Sequence, residues 1–237
     1  RFQIAATGVI VVDVLDATGG VSHHERDPRL KKSLRRPFRE ALPRMGDSIV
    51  IENEITTIGE GAFQDCSALC SVSFPTSLKT INTRAFQNCD SLTTLSLNEG
   101  LEFIGECAFE WCDGFTSITL PDSLKYLGEK AFADCLNLTS VAIGAGLEAI
   151  GANPFCLCPE LYPLSVHADN PYFAAENSIL YSKDKTTLYA DLNVTFYGPD
   201  DYTVPDGVVR IADRAYSNCS TLETVAFPAS LKTVGDR

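Results

Sequence analysis

The fold is decided by one stretch, residues 101–121, which reads LEFIGECAFEWCDGFTSITLP. Its phenylalanine, Phe109, belongs to a series that recurs every 23 residues, and a cysteine follows each member three residues later. The phenylalanines are Phe63, Phe86, Phe109, Phe132 and Phe155, and the cysteines are Cys66, Cys89, Cys112, Cys135 and Cys158. A fixed period of this length predicts a solenoid, in which each repeat is one coil that stacks on the next.

Within one coil, the apolar residues have two kinds of spacing. Residues 92–97 follow an L-x-x-L-x-L pattern, which predicts a short strand. Leu101 and Ile104 return to the interior, and Phe109 and Cys112 have the spacing of a 3-10 or helical turn with one buried side. The last coil fills the same inward slots with Leu222, Val225, Phe227, Leu231 and Val234. The sequence therefore predicts a β-rich repeat solenoid with parallel strands and short 3-10 or helical turns.

The outward positions of the predicted strands hold small side chains. They are Ser71/Ser73, Thr94/Ser96, Ser117/Thr119, Ser140/Ala142, Pro163/Ser165 and Thr224/Ala226. Such a row is either a hydroxyl ladder that packs across neighbouring strands or a flat docking face for a partner.

Two further rows lie on the predicted surface. Charges alternate in sign from coil to coil at Lys79, Glu102, Lys125 and Glu148, and this alternation places opposite charges side by side. Phe103 and Tyr126 form an aromatic pair beside them, and Trp111 lies in the loop between Phe109 and Cys112. We predict these three aromatic residues as partner contacts, with exposure by chance as the alternative.

The assembled pattern is L-x-x-I-G-x-x-A-F-x-x-C-x-x-L-x-x-I-x-x-P, and residues 124–144, LKYLGEKAFADCLNLTSVAIG, repeat it. It resembles the BspA-like leucine-rich repeat, the class also typified by treponemal leucine-rich repeat proteins, over residues 48–237. The resemblance implies a leucine-rich-repeat solenoid, often in surface or secreted proteins of host-associated bacteria and some protists. It also implies adhesion or binding to proteins or host matrix, and it brings no catalytic residue and no cofactor.

The chain divides into two predicted regions. Residues 1–47 are an N-terminal extension that is either a linker or a partial cap, in which residues 2–15 supply one strand. Residues 48–237 are the solenoid, which stops within a repeat and so indicates a fragment of a longer array. An insert at about 167–207 separates the last motif copies, since 61 residues lie between Phe155 and Tyr216.

The insert predicts a β-hairpin, with strands at 178–182 and 186–190 around a Lys-Asp-Lys turn. It is either a packed irregular coil or a projecting recognition element. Because loops on a rigid scaffold often carry binding, we add its tyrosines to the predicted partner contacts: Tyr172, Tyr181 and Tyr189.

Composition narrows the function classes. Residues 1–47 carry nine Lys and Arg against six Asp and Glu, and residues 48–237 carry ten against 25, which together give the net charge of −12. The repeat region should therefore repel phosphate backbones and not bind nucleic acid. No apolar run reaches the roughly 18 residues of a transmembrane segment. The nine cysteines cannot all pair, and the repeat cysteines read as small core residues.

Chemistry-bearing motifs are sparse. His23-His24 is the only paired histidine, and Glu106 and Glu129 are the one stacked acidic pair considered as a cation site, where solvated carboxylates are the alternative. We therefore predict no enzyme, no metal and no cofactor. The leading hypothesis is a protein-binding or adhesion module at the cell surface or outside the cell. The alternatives are a passive spacer that presents another domain, and an enzyme in residues 1–47, for which no motif is present.

Overall fold

The computed structural model describes residues 2–4, 10–12, 48–51, 53, 55–194, 201–217, 219 and 222–236. These residues form 20 strands joined by turns, and they contain no helix that is long and apolar enough to cross a membrane. The strands are β1 (Phe2–Ile4), β2 (Ile10–Val12), β3 (Ser48–Ile51), β4 (Thr57–Ile58), β5 (Ser71–Ser73), β6 (Thr80–Ile81), β7 (Thr94–Leu95), β8 (Phe103–Ile104), β9 (Ser117–Thr119), β10 (Tyr126–Leu127), β11 (Ser140–Ile143), β12 (Ala149–Ile150), β13 (Leu164–Val166), β14 (Phe173–Glu176), β15 (Ile179–Ser182), β16 (Thr187–Asp191), β17 (Asp201–Thr203), β18 (Arg210–Ile211), β19 (Thr224–Ala226) and β20 (Thr233–Val234).

Each coil contributes one strand to each of two parallel ladders. The first ladder comprises the sets β2–β3–β5–β7 and β9–β11–β13, and the second runs β4–β6–β8–β10–β12. In the second ladder Phe103 pairs with Tyr126, and Tyr126 pairs with Ala149, so partners lie 23 residues apart. The sequence period thus sets the strand register, and the predicted parallel-strand solenoid is confirmed.

The Ala-Phe segment of each coil forms a third ladder, which we call the turn ladder. Its backbone alternates in handedness, with positive φ at Arg84 (55°) and Asn88 (62°) and at the equivalent residues of neighbouring coils. The Phe86 N–H donates to the Ala108 carbonyl of the next coil at 2.8 Å, whereas the Gln87 N–H donates back to Arg84 at 3.3 Å. Alternate N–H groups therefore join neighbouring coils and close the turn within a coil, which satisfies the backbone polar groups.

The phenylalanines of the repeat form a continuous buried column. Successive ring centroids from Phe63 to Phe155 lie 5.0, 5.2, 5.1 and 6.0 Å apart, with interplanar angles of 15° or less. Each ring is at most 1% exposed. Every internal ring therefore contacts the coil before it and the coil after it, so a single coil depends on its neighbours for its core.

Glycine follows the second-ladder strand where two coils approach closely. A Cβ on Gly128 would lie 2.3 Å from the carbonyl carbon of Gly105, and one on Gly151 would lie 2.2 Å from the amide nitrogen of Glu129. Real Cβ atoms do not approach backbone atoms this closely, so the glycine in the repeat motif permits the close stacking of the coils.

The insert begins in register with the preceding coil and then leaves it. Asn170 and Phe173 are buried, 23 residues after the inward positions Leu147 and Ile150, and the Asn170 amide donates to the Leu147 carbonyl at 3.1 Å. β14, β15 and β16 then form an antiparallel meander, and β16 pairs in parallel with β18. The predicted hairpin is confirmed as β15–β16, and β14 is an added strand.

Both faces of β15 are buried. Leu180 packs in the main core, whereas Ile179 and Tyr181 pack in a second core cluster with Val204 and Val208. Successive side chains of a strand point to opposite faces, so this run of apolar residues belongs to a strand that lies between two cores. The hairpin is therefore packed into the structure and does not project from it.

The turn ladder closes across the insert. The Asn153 amide donates to the Arg214 carbonyl at 3.0 Å and to the Ser217 hydroxyl at 3.2 Å, across 61 and 64 residues of sequence. The 61-residue offset equals that between Phe155 and Tyr216, so the coils before and after the insert are neighbours on this side.

The N-terminal segment differs from the prediction of one strand. β1 and β2 are antiparallel to each other, and β2 pairs in parallel with β3. Residues 13–47 lie outside the described residues, together with His23, His24 and the basic stretch predicted as a linker or partial cap.

Candidate partner-binding surface

Two aromatic rings stack on the outer side of the second ladder. The ring centroids of Phe103 and Tyr126 lie 5.0 Å apart, and their planes differ by 13°. Both side chains are half-buried, because each ring covers one face of the other and leaves its edge toward solvent. The predicted pairing is confirmed, although the rings are less exposed than expected.

The alternating charges beside these rings form two ion pairs. Lys79 contacts Glu102 at 2.9 Å, and Lys125 contacts Glu148 at 2.8 Å, with all four side chains about half-exposed. Exposed pairs of this kind contribute about 0–1 kcal/mol each. The row therefore adds little to stability, but its charges are available for exchange with a partner.

The stacked acidic pair does not form a metal site. The Glu129 carboxylate accepts a hydrogen bond from the Arg214 guanidinium and forms an ion pair with it across the insert. Among the described residues, no group of three or more histidine, cysteine, aspartate and glutamate side chains is arranged to hold a metal ion.

Trp111 lies on the turn ladder, away from the stacked pair. Its side chain is 49% exposed, and its indole N–H donates to the Asp134 carboxylate of the next coil. Burial raises the pKa of the Asp134 carboxyl, and this hydrogen bond opposes the rise. Leu136, two residues further along, is 50% exposed. Trp111 therefore forms a separate apolar patch with Leu136, and the ring contacts include no pair of Trp111 with Phe103 or Tyr126.

The insert tyrosines occupy three different environments. Tyr172 is 49% exposed, whereas Tyr189 is half-buried, with its ring centroid 5.4 Å from that of Phe173. Tyr181 is only 4% exposed and belongs to the second core cluster. The prediction of Tyr181 as a partner contact is therefore wrong for this structure, since its ring packs beneath the surface on one side of β15.

Other exposed apolar side chains were not predicted as contacts. Tyr162 is 69% exposed in the outward slot that Thr93, Thr116 and Thr139 occupy in earlier coils. The replacement of threonine by tyrosine at an outward slot is the sequence signal that would have identified it.

Two residues of the last coil also depart from the prediction. Phe227 and Val234 are 56% and 60% exposed, although the repeat pattern assigns them inward slots. They lie in the last coil of the sequence, where no later coil among the described residues covers them.

The small residues of the first ladder bond across coils. The Ser71 hydroxyl donates to the Ser48 hydroxyl at 2.8 Å, and the Thr139 hydroxyl donates to the Thr116 carbonyl at 3.0 Å. These contacts favour the hydroxyl-ladder interpretation, because the groups are engaged within the solenoid.

The repeat cysteines have a specific role in the core. The Cys112 thiol donates to the Phe86 carbonyl at 3.1 Å, and the thiols of Cys89, Cys135 and Cys158 make the equivalent contact with the preceding coil. The slot therefore selects a small side chain that packs like an apolar residue and also carries a weak donor.

Burial makes most of these thiols unreactive, which gives a testable prediction. It raises the pKa of Cys107 and of Cys156 to about 12 and the pKa of Cys219 to about 11, and it raises the pKa of Cys112 and Cys158 further. A raised pKa keeps the thiol neutral, and the thiolate is the reactive form. At pH 8, a disulfide reagent should therefore modify about one thiol rapidly, the half-buried Cys70, and all nine after unfolding.

The control is Cys70→Ser, which should remove the rapid phase and leave the slow phase unchanged. Two or more rapid thiols in the native Cys70→Ser variant would contradict the packing of the cysteine slots.

Comparison with solved structures identifies three similar proteins. A leucine-rich repeat protein of Eubacterium ventriosum matches 99% of this chain with a TM-score of 0.76 and 20% identity, a likeness of fold alone. A leucine-rich cell surface protein of Faecalibacterium prausnitzii matches 80% with a TM-score of 0.65 and 28% identity. The pneumococcal vaccine antigen PcpA also matches 80%, with a TM-score of 0.68 and 27% identity. The chain spans 59, 50 and 47% of the lengths of these proteins, respectively.

The repeat itself identifies the family. No curated protein matches this chain. The family model for the BspA-type leucine-rich repeat region matches residues 46–162 and 196–237 in six copies, well over half of the sequence. The two matched segments flank the antiparallel meander, in agreement with the break in the coil register. The chain therefore belongs to the BspA-type leucine-rich repeat family.

Proposed function

We propose that this chain is a noncatalytic module that binds proteins or host-surface components on the outside of a bacterial cell. The observation that carries the proposal is the set of large apolar side chains held exposed on a rigid stack, namely Trp111, Leu136, Tyr162 and Tyr172. Each lies on a coil whose core is otherwise fully buried, so its exposure does not result from poor packing. Exposed aromatic residues of this kind are the usual anchors of protein interfaces.

Two further observations support this proposal. The similar protein of Faecalibacterium prausnitzii is described as a cell surface protein, and the pneumococcal one as a vaccine antigen. The repeat region is strongly acidic, which favours basic protein partners over nucleic acid. Leucine-rich repeat modules generally mediate protein interactions, and BspA-like solenoids are typically noncatalytic.

The test is direct binding with matched surface variants. The module is applied to immobilised fibronectin, laminin and collagen and to fixed epithelial cells. We expect the Trp111→Ala/Leu136→Ala variant to bind its target at least about tenfold more weakly, the loss expected for interface anchors. Thr119→Ala, an exposed change on the first ladder, should bind as the unaltered module does.

The second candidate function is a passive spacer that presents another domain. The hydrogen-bonded hydroxyl rows of the first ladder and the continuous phenylalanine column favour it, since both stiffen the stack without offering contacts. Absence of saturable binding to every surface in the panel would reject the binding function and favour the spacer. Binding that is unchanged in the Trp111→Ala/Leu136→Ala variant would reject these anchors.

A further inference from the structure

The outward row of the second ladder contains one gap between aromatic side chains. Positions 23 residues apart in this row hold Phe103, Tyr126, Ala149 and Tyr172. Phe103 covers one face of the Tyr126 ring, and the other face looks toward Ala149, which is exposed. A single alanine therefore stands where the next ring of the stack would lie.

Tyr172 forms the far wall of this gap. It lies between the buried residues Asn170 and Phe173, which continue the inward positions of the previous coil, so its own side chain continues the outward row. Its hydroxyl is within electrostatic range of the Lys125 ammonium. The backbone N–H groups of Tyr172 and Phe173 both donate to the Asn170 side-chain oxygen at 2.8 Å, so the ladder is interrupted at the gap.

The dimensions suit one planar group. Tyr126 and Tyr172 are two coils apart, at least roughly 10 Å at the usual strand spacing. A planar group stacked between two rings needs van der Waals contact of about 3.5–4.0 Å on each face. The gap over Ala149 therefore has room for one inserted planar side chain.

The charges around the gap select a cation. Glu148 precedes Ala149 directly, and its carboxylate is held only by the exposed pair with Lys125. A planar guanidinium can stack on a tyrosine face and also bind a carboxylate with two parallel hydrogen bonds. Exchange of Lys125 for such a group costs little, because the existing pair is exposed. The net charge of −12 attracts a basic partner.

We propose that the gap between Tyr126 and Tyr172 is a binding slot for an arginine side chain of a protein partner, which stacks over Ala149 and pairs with Glu148. This inference rests on the proposed binding function and names the partner chemistry at one surface of the module.

The test follows the tyrosine ring signals by NMR in protein with labelled tyrosine. The probes are the tripeptide amide acetyl-Gly-Arg-Gly-amide and its lysine and citrulline analogues. We expect saturable shifts of Tyr126 and Tyr172 with the arginine probe, binding about threefold or more weaker for lysine, and none for citrulline. Equal binding of arginine and lysine, or no shift at these two rings, would overturn the proposal.

Variants separate the slot from general charge attraction. Ala149→Phe places a ring in the slot and should weaken arginine binding at least about tenfold. The matched control Thr80→Phe adds a ring to the same row beside Phe103 and should leave binding unchanged. Glu148→Gln should weaken binding, whereas Lys125→Gln should strengthen it by removing the competing cation. Opposite signs for the two charge variants, or an Ala149→Phe variant that binds normally, would also overturn the slot.

The outcome for the slot is separable from the outcome for the proposed function. If Ala149→Phe loses the tripeptide but still binds its macromolecular target, the slot is not the partner site, and the binding function stands. Loss of both in Ala149→Phe, with both retained in Thr80→Phe, supports the arginine assignment. If no surface in the panel binds, the function fails whatever the tripeptide does.

Discussion

Replacing Phe109 by alanine should lower the free energy of unfolding by about 3–5 kcal/mol, the usual cost of truncating a fully buried phenylalanine. Its ring is 0% exposed and stacks at 5.2 Å on Phe86 and at 5.1 Å on Phe132. The change removes two ring contacts at once and leaves a cavity in the middle of the column. Because coils are stabilised mainly by their neighbours, both adjoining interfaces weaken together.

The measurement is urea unfolding followed by circular dichroism and by hydrogen exchange of the coil amides. Exchange should accelerate most in the coils that contain Phe86, Phe109 and Phe132, since the damage is local in a stack of this kind. The control is Phe103→Ala, which truncates a half-buried ring outside the column and should cost less than about 1.5 kcal/mol. Equal losses for the two variants would contradict a column of rings as the main support of the coils.

Much of this architecture is readable from the sequence because one physical requirement repeats. Residues 23 apart must lie on neighbouring coils if each coil is to cover the core of the last. The period alone therefore predicts that Phe103 pairs with Tyr126 and that Lys79 lies beside Glu102, as the structure shows. It also predicts Tyr172 at the surface, because the register of the preceding coil persists to that residue.

The turn ladder was less predictable. The spacing of Phe109 and Cys112 suggests a short helical turn, yet non-glycine residues such as Cys107 and Trp111 adopt positive φ there. Their side chains give no local sign of this conformation. It is fixed by hydrogen bonds to the next coil, which a single repeat does not contain.

The insert was misread where the period is lost. A hairpin is evident from its turn, but alternation along one strand does not say which face is covered. Tyr181 is buried because a second core cluster lies on its side of β15, and that cluster is built from residues 188–215, distant in sequence. Exposure of Phe227 follows the same logic in reverse, since an inward slot is buried only where another coil covers it.

Replacing Asn170 by alanine should destabilise the solenoid by about 3–4 kcal/mol, a large effect for one polar side chain. Asn170 is 0% exposed and makes four hydrogen bonds. Its amide donates to the carbonyls of Gly144 and Leu147, and its side-chain oxygen accepts from the N–H groups of Tyr172 and Phe173. Alanine leaves buried backbone groups without these partners at the point where the chain turns from the coil into β14.

The matched control is Asn137→Ala, which removes an exposed asparagine with one side-chain hydrogen bond, to the Asp113 carbonyl at 2.9 Å. Because water replaces that bond, the loss should be below about 1 kcal/mol. The readouts are the urea midpoint and hydrogen exchange at Tyr172, Phe173 and β15, where Asn170→Ala should accelerate exchange selectively. If the two variants lose equal stability, or exchange accelerates uniformly along the chain, Asn170 does not anchor the insert. The junction would then be held by the packing of Phe173 and Leu180 in the main core.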